Sequence, residues 1–132
     1  MRLLRLFLFI GCLGWIISIA GVVLPWDVIT TGLQGLGAKE IPPDPMMNYW
    51  LRMTGGAYTI LGVLYGLAGA NPRKYAALIP VLGWSSLLEG IVLAIYGTRL
   101  GLPPFPFLAD TTFCLLVGFG ILATQKHLVK AE

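Results

Sequence analysis

The sequence predicts an all-α integral membrane protein, a bundle of four transmembrane helices that forms one domain over residues 1–132. Hydrophobic residues make up 57% of the chain, charged residues make up 11%, and the mean hydropathy is +0.82. Soluble domains carry about 45–50% apolar and about 25% charged residues, so this chain has too few charges to cover a water-exposed surface. The apolar residues also fall into long stretches separated by proline, glycine and charged residues. These observations exclude a secreted disulfide domain, a nucleic-acid-binding protein and an ordinary cytosolic enzyme.

The first predicted span covers residues 3–24 and contains no charged residue after Arg5. A hydrocarbon core of roughly 30 Å needs about 20 helical residues, so this stretch is long enough to cross once. Ser18-Ile19-Ala20 resembles a signal-peptide cleavage site, but the apolar stretch is longer than the usual apolar core of a signal peptide. We therefore expect an uncleaved membrane anchor.

The loop after the first span is predicted to contain a short helix that lies on the membrane surface. Pro25 ends the span, and Asp27 is expected to cap a helix over residues 28–36, whose apolar residues share one face. Gly35 and Gly37 are expected to end this helix, because glycine is favoured where helices stop.

The second and third spans are predicted at residues 46–70 and 75–96. Between them, Asn71 is suited to the N-cap of the third span and Pro72 to its first helical position. The short connection predicts that the two helices form a tight antiparallel hairpin. The fourth span is predicted at residues 105–124.

The distribution of basic residues predicts the orientation of the bundle, because cytoplasmic loops are enriched in lysine and arginine. One side collects most of them: Arg2, Arg5, Arg73, Lys74, Lys126 and Lys130. The other side has fewer: Lys39, Arg52 and Arg99. We therefore expect both termini to be cytoplasmic, with His127 as a solvated residue of the C-terminal tail.

Glycine accounts for 17 residues, and several glycines of the second span fall on one helical face. They are Gly55, Gly62, Gly66 and Gly69. Gly62 and Gly66 form a GxxxG pair, which allows membrane helices to approach closely. This face is expected to pack either inside the bundle or against a second copy of the chain, and the spacing leaves both alternatives open.

Three charged residues, Arg52, Glu89 and Asp110, lie within the predicted spans. A charge in hydrocarbon costs at least about 2.5–3.5 kcal/mol, so it usually faces the bundle interior and has a partner. Counting from the loops at about 1.5 Å per residue places Arg52 level with Leu93 and Asp110 level with Val92, close in depth to Glu89. The sequence therefore predicts a polar cluster near the outer end of the bundle, which is either an ionic tie between helices or a binding site.

No catalytic arrangement is complete in the sequence. The spans contain no histidine, and neither a Ser–His pairing nor an HExxH motif is present. Cys12 and Cys114 are far apart, so they do not form the CxxC pair of thiol redox proteins. We accordingly expect no catalytic residue, no metal site and no cofactor.

Two short motifs follow the proline-ended first span: Arg52-Met53-Thr54-Gly55-Gly56 and the turn Asn71-Pro72-Arg73. In this order, with two further spans, they resemble the DoxX-like superfamily of small four-helix bacterial membrane proteins, including its BphX-like relatives. The resemblance implies a four-helix bundle in the bacterial inner membrane. It implies no established activity, because most such proteins lack one.

Two functional hypotheses follow from these features. The first is a non-enzymatic accessory, scaffold or assembly subunit, and the alternative is a binder or transporter of a small molecule or ion that uses Arg52, Glu89 and Asp110. The expected partners are the lipid bilayer and a homo-oligomer or larger membrane complex, without nucleic acid. A dry cluster with paired charges would favour the scaffold, whereas an open cavity with an unpaired carboxylate would favour binding.

Overall fold

The computed structural model describes residues 1–126, and every regular element in this part of the chain is helical. The helices are α1 (Arg2–Ile16), α2 (Ala20–Val23), α3 (Trp26–Gly35), α4 (Pro45–Ala70), α5 (Leu78–Arg99) and α6 (Pro104–Thr124). A 3-10 turn, Ile17–Ile19, joins α1 to α2, and the continuous segment Arg2–Val23 is called the first span below. The all-α prediction is confirmed. His127 and Lys130 lie outside the described residues.

Three of the helical segments are long and apolar enough to cross a membrane: the first span, α5 and α6. They indicate a membrane protein, in agreement with the composition. Helix α4 has 26 residues and is about 39 Å long, but glycine, tyrosine and threonine lower its hydropathy. Several of these residues, including Gly55, Gly62 and Tyr65, are buried against other helices, so the less apolar side of α4 faces the protein interior.

The helices form two antiparallel pairs, the first span with α4 and α5 with α6, and α1 and α6 join the pairs. Helices α4 and α5 have few close backbone approaches, although they follow one another in the chain. The two helices are antiparallel and linked by side-chain hydrogen bonds of Tyr58 and Tyr65, but the close packing expected of a tight hairpin is wrong. The reason is that their small residues face elsewhere: Gly62 of α4 lies against α1, and Gly90 of α5 lies against α6.

The connection between α4 and α5 is a capped turn that delays the start of α5. The side chain of Asn71 accepts a hydrogen bond from the backbone N–H of Lys74 at 3.3 Å, as expected for a capping residue. Residues 72–77 form turns, however, and α5 begins only at Leu78. The bounds of the long helices otherwise agree with the predicted spans to within three residues.

Helix α3 is present in the first loop, with its start shifted from the predicted position. Pro25 occupies the N-cap position, so Asp27 lies in the first turn and does not cap the helix. An acidic residue in the first turn is still favourable, because the helix dipole is positive there. Gly37, which has a φ of +100°, follows the helix and donates its N–H to the carbonyl of Gln34 at 3.0 Å.

Candidate functional site

Arg52 hydrogen-bonds to groups other than the two carboxylates with which the sequence grouped it. Its guanidinium donates to the carbonyl oxygens of Val22 and of Leu24, the latter at 3.1 Å. Its Nε donates to the side-chain oxygen of Asn48 at 2.9 Å. The last carbonyls of a helix lack partners within it, so Arg52 satisfies the end of the first span and ties it to the start of α4. The expected pairing of Arg52 with a carboxylate is wrong.

Glu89 lies half-buried on α5 and accepts a hydrogen bond at 3.0 Å from the hydroxyl of Tyr58 on α4. This bond links the two helical pairs, whose α4 and α5 have few close backbone approaches. The hydroxyl fixes one carboxylate oxygen of Glu89 and supplies no compensating positive charge.

Glu89 and Asp110 both line one cavity of about 240 Å³ between the helical pairs. The first span and α4 contribute Trp15 and Tyr58 to its wall, and α6 contributes Phe113. Among the described residues, no lysine, arginine or histidine lines this cavity. The sequence therefore placed the two carboxylates correctly in one region, and the structure leaves them without a basic neighbour in the cavity wall.

Aromatic rings form much of the remaining wall of this cavity. The ring centroids of Trp15 and Tyr58 are 4.9 Å apart and tilted, and those of Trp15 and Phe113 are 6.0 Å apart with an edge-to-face arrangement. Trp15 is only 7% exposed, and its indole N–H has no hydrogen-bond partner within residues 1–126. Carboxylates surrounded by aromatic rings suit an organic cation, because ring faces attract cations as well.

A second, apolar groove of about 800 Å³ adjoins the cavity. The two share Ile17, Ser18 and Tyr58 in their walls. The groove runs between the first span and α4 on one side and α3 on the other. Its volume lies within the range of about 300–1,000 Å³ that is typical of small-molecule sites.

The four glycines of the predicted face contact the first span within the same chain. A Cβ at Gly62 would lie 2.6 Å from the backbone nitrogen of Ile16, and one at Gly55 would lie 2.9 Å from the carbonyl oxygen of Ser18. Gly66 and Gly69 follow along the same helix, against side chains of α1. These distances fit the first of the two alternatives, packing inside the bundle.

Sequence reasoning missed the aromatic residues of the cavity. One signal was present, because tryptophan in membrane proteins favours the interfaces and Trp15 lies well inside the first span. Tyr58 and Phe113 gave no comparable signal, since both types occur throughout apolar helices. Their role follows only from the way α1, α4 and α6 meet.

In comparisons with known proteins, no family model, no curated protein and no solved structure matches this chain.

Proposed function

We propose that this chain is an integral membrane protein that binds an organic cation in the cavity lined by Glu89 and Asp110. The observation that carries the proposal is the pairing of two carboxylates with an aromatic wall in a cavity whose lining contains no basic residue within residues 1–126. Glu89 is half-buried and Asp110 is exposed at the edge of the cavity, and a carboxylate within a membrane-spanning helix is costly without a compensating charge. A bound cation would supply the missing charge.

An organic cation fits this cavity better than a metal ion does. Divalent hard cations take six or more oxygen ligands or keep several waters, and no group of three or more metal-ligating side chains occurs among the described residues. Trp15, Tyr58 and Phe113 instead offer π-systems, which attract alkylammonium ions.

The other hypothesis, an accessory, scaffold or assembly subunit, follows from an apolar, glycine-rich bundle with little exposed polar surface. A dry cluster of paired charges would favour it over binding. Arg52 is engaged with Val22, Leu24 and Asn48 and does not line the cavity, so we favour the binding function.

We further propose that α4 crosses the membrane with the three apolar helices, which gives the four-helix bundle of the bacterial inner membrane that the resemblance to DoxX-like proteins implies, and that both termini are cytoplasmic. The six-to-three distribution of bases supports this orientation. A cysteine introduced as Arg73→Cys should resist a membrane-impermeant thiol reagent added to intact cells. One introduced as Lys39→Cys should react, and the opposite labelling pattern would reverse the proposed topology.

The proposed binding is tested with tetramethylammonium as the probe and purified protein in nanodiscs. Glu89→Gln keeps an acceptor for the hydroxyl of Tyr58 but removes the charge, so we expect the affinity to fall about tenfold or more. Glu40→Gln is the matched control, because Glu40 is exposed in the loop after α3, and it should bind like the wild type. Isothermal titration calorimetry measures each affinity. No binding by the wild type, or equal binding by Glu89→Gln, would refute the proposal.

A further inference from the structure

We infer that the bound cation is the head of a single-chain amphiphile whose alkyl chain lies in the apolar groove beneath α3. This inference rests on the proposed function, because it takes the cavity of Glu89 and Asp110 as the site of the head. The proposed function specifies only a cationic head, and this inference specifies the rest of the ligand as an alkyl chain. It also gives α3 and the apolar groove a role that the head site alone does not explain.

The first argument is that the cavity and the groove adjoin one another. Ile17, Ser18 and Tyr58 belong to the walls of both, and Tyr58 carries its hydroxyl to Glu89. A ligand with its charged end at Glu89 would extend past the wall that the cavity and the groove share. The polar groups of that shared wall are Ser18 and the hydroxyl of Tyr58. Beyond them, the groove wall is predominantly apolar and accommodates a hydrocarbon chain.

The state of α3 is the second argument. Val28, Ile29 and Leu33 of α3 line the groove, yet no residue of α3 is buried. The apolar side of α3 thus faces the groove, and no side chain of residues 1–126 fills that space. Apolar surface left in this way favours an apolar occupant, and the carboxylates next to it select one with a positive end.

The negative charge of the site favours this ligand over a bilayer phospholipid whose head carries a trimethylammonium group. A phospholipid head would bring a phosphate close to Glu89 and Asp110, where the cavity lining offers no base within the described residues. The phosphate and the carboxylates would carry charges of the same sign, which repel each other strongly in a medium of low dielectric constant. The inferred ligand is therefore net cationic.

The experiment uses dodecyltrimethylammonium with a diazirine at the end of its chain, added to the full chain in nanodiscs. After photolysis, mass spectrometry should find the label mainly on residues 26–36. Excess tetramethylammonium should reduce this labelling by competing for the head site. Lysophosphatidylcholine should compete poorly, and equal competition by it would refute the net-cationic ligand.

Two glycines of α3 provide matched variants. A Cβ would meet no atom within 4 Å at either Gly32 or Gly35, but only Gly32 lines the groove. Gly32→Leu should fill the groove and weaken binding of the long-chain probe about tenfold, while binding of tetramethylammonium should be unchanged. Gly35→Leu should alter neither.

The results distinguish the two proposals. If tetramethylammonium binds and depends on Glu89, but the label spreads over the lipid-facing sides of α5 and α6, the cation site stands and the amphiphile is refuted. Equal effects of Gly32→Leu and Gly35→Leu on the long-chain probe would also refute it. If no cation binds in a Glu89-dependent way, both proposals fail.

Discussion

Gly62→Leu is expected to lower the free energy of unfolding by about 3 kcal/mol, the upper end of the usual cost of overpacking. At this position α4 touches the backbone of α1, and even a Cβ would lie 2.6 Å from the nitrogen of Ile16 and 3.1 Å from the carbonyl carbon of Trp15. Backbone atoms cannot move aside as the end of a flexible side chain can. The two helices would have to separate, and the contacts along the whole glycine face would weaken.

The matched control is Gly56→Leu on the same helix, where a Cβ would meet nothing within 4 Å. This variant should unfold like the wild type in a titration with sodium dodecyl sulfate from mixed micelles. If Gly62→Leu were equally harmless, α4 would not pack on α1 at this point, and the pairing of helices described above would be incorrect.

Tyr65→Ala is expected to cost about 4 kcal/mol, within the range observed when large buried aromatic side chains are removed. The ring is completely buried and lies against Gly11 of α1, where an added Cβ would be 2.5 Å from the ring. Its hydroxyl donates to the carbonyl of Leu82 and shares a hydrogen bond with Ser86, both at 2.7 Å. One side chain thus fills space beside α1 and bonds to α5.

Tyr65→Phe separates the two contributions, because it keeps the ring and removes the hydroxyl. We expect this variant to lose about 1–2 kcal/mol, largely because Ser86 is left buried without its partner. Tyr49→Ala, which truncates an exposed tyrosine of α4, should have little effect in the same unfolding titration. Equal losses for Tyr65→Ala and Tyr65→Phe would contradict a packing role for the ring.

The sequence predicted position along the membrane normal better than direction around each helix. Depth depends on a fixed rise per residue, so counting from the loops brought Glu89 and Asp110 to similar depths, and both line one cavity. Direction depends on which helix is the neighbour. Arg52 was therefore expected to pair with Glu89, Asp110 or both, whereas it bonds to the end of the first span.

The helix that packs against α4 could not be predicted from the sequence for the same reason. The spacing of Gly55, Gly62, Gly66 and Gly69 predicted a close contact on one face, since small residues at helical intervals leave room for another backbone. The spacing does not indicate which helix makes that close contact. A short connection favoured α5, but the glycines of α5 contact α6, and α1 takes the place beside α4.

The pairing of helices has a consequence for how the protein is made. Chains emerge from the ribosome with the N-terminus first, so the first span and α4 can complete their glycine contacts before α5 has been synthesised. Trp15 and Tyr58 are then already in place. Both carboxylates of the cavity, Glu89 and Asp110, arrive afterwards on α5 and α6. The cavity wall is therefore complete only when the last helix has been inserted.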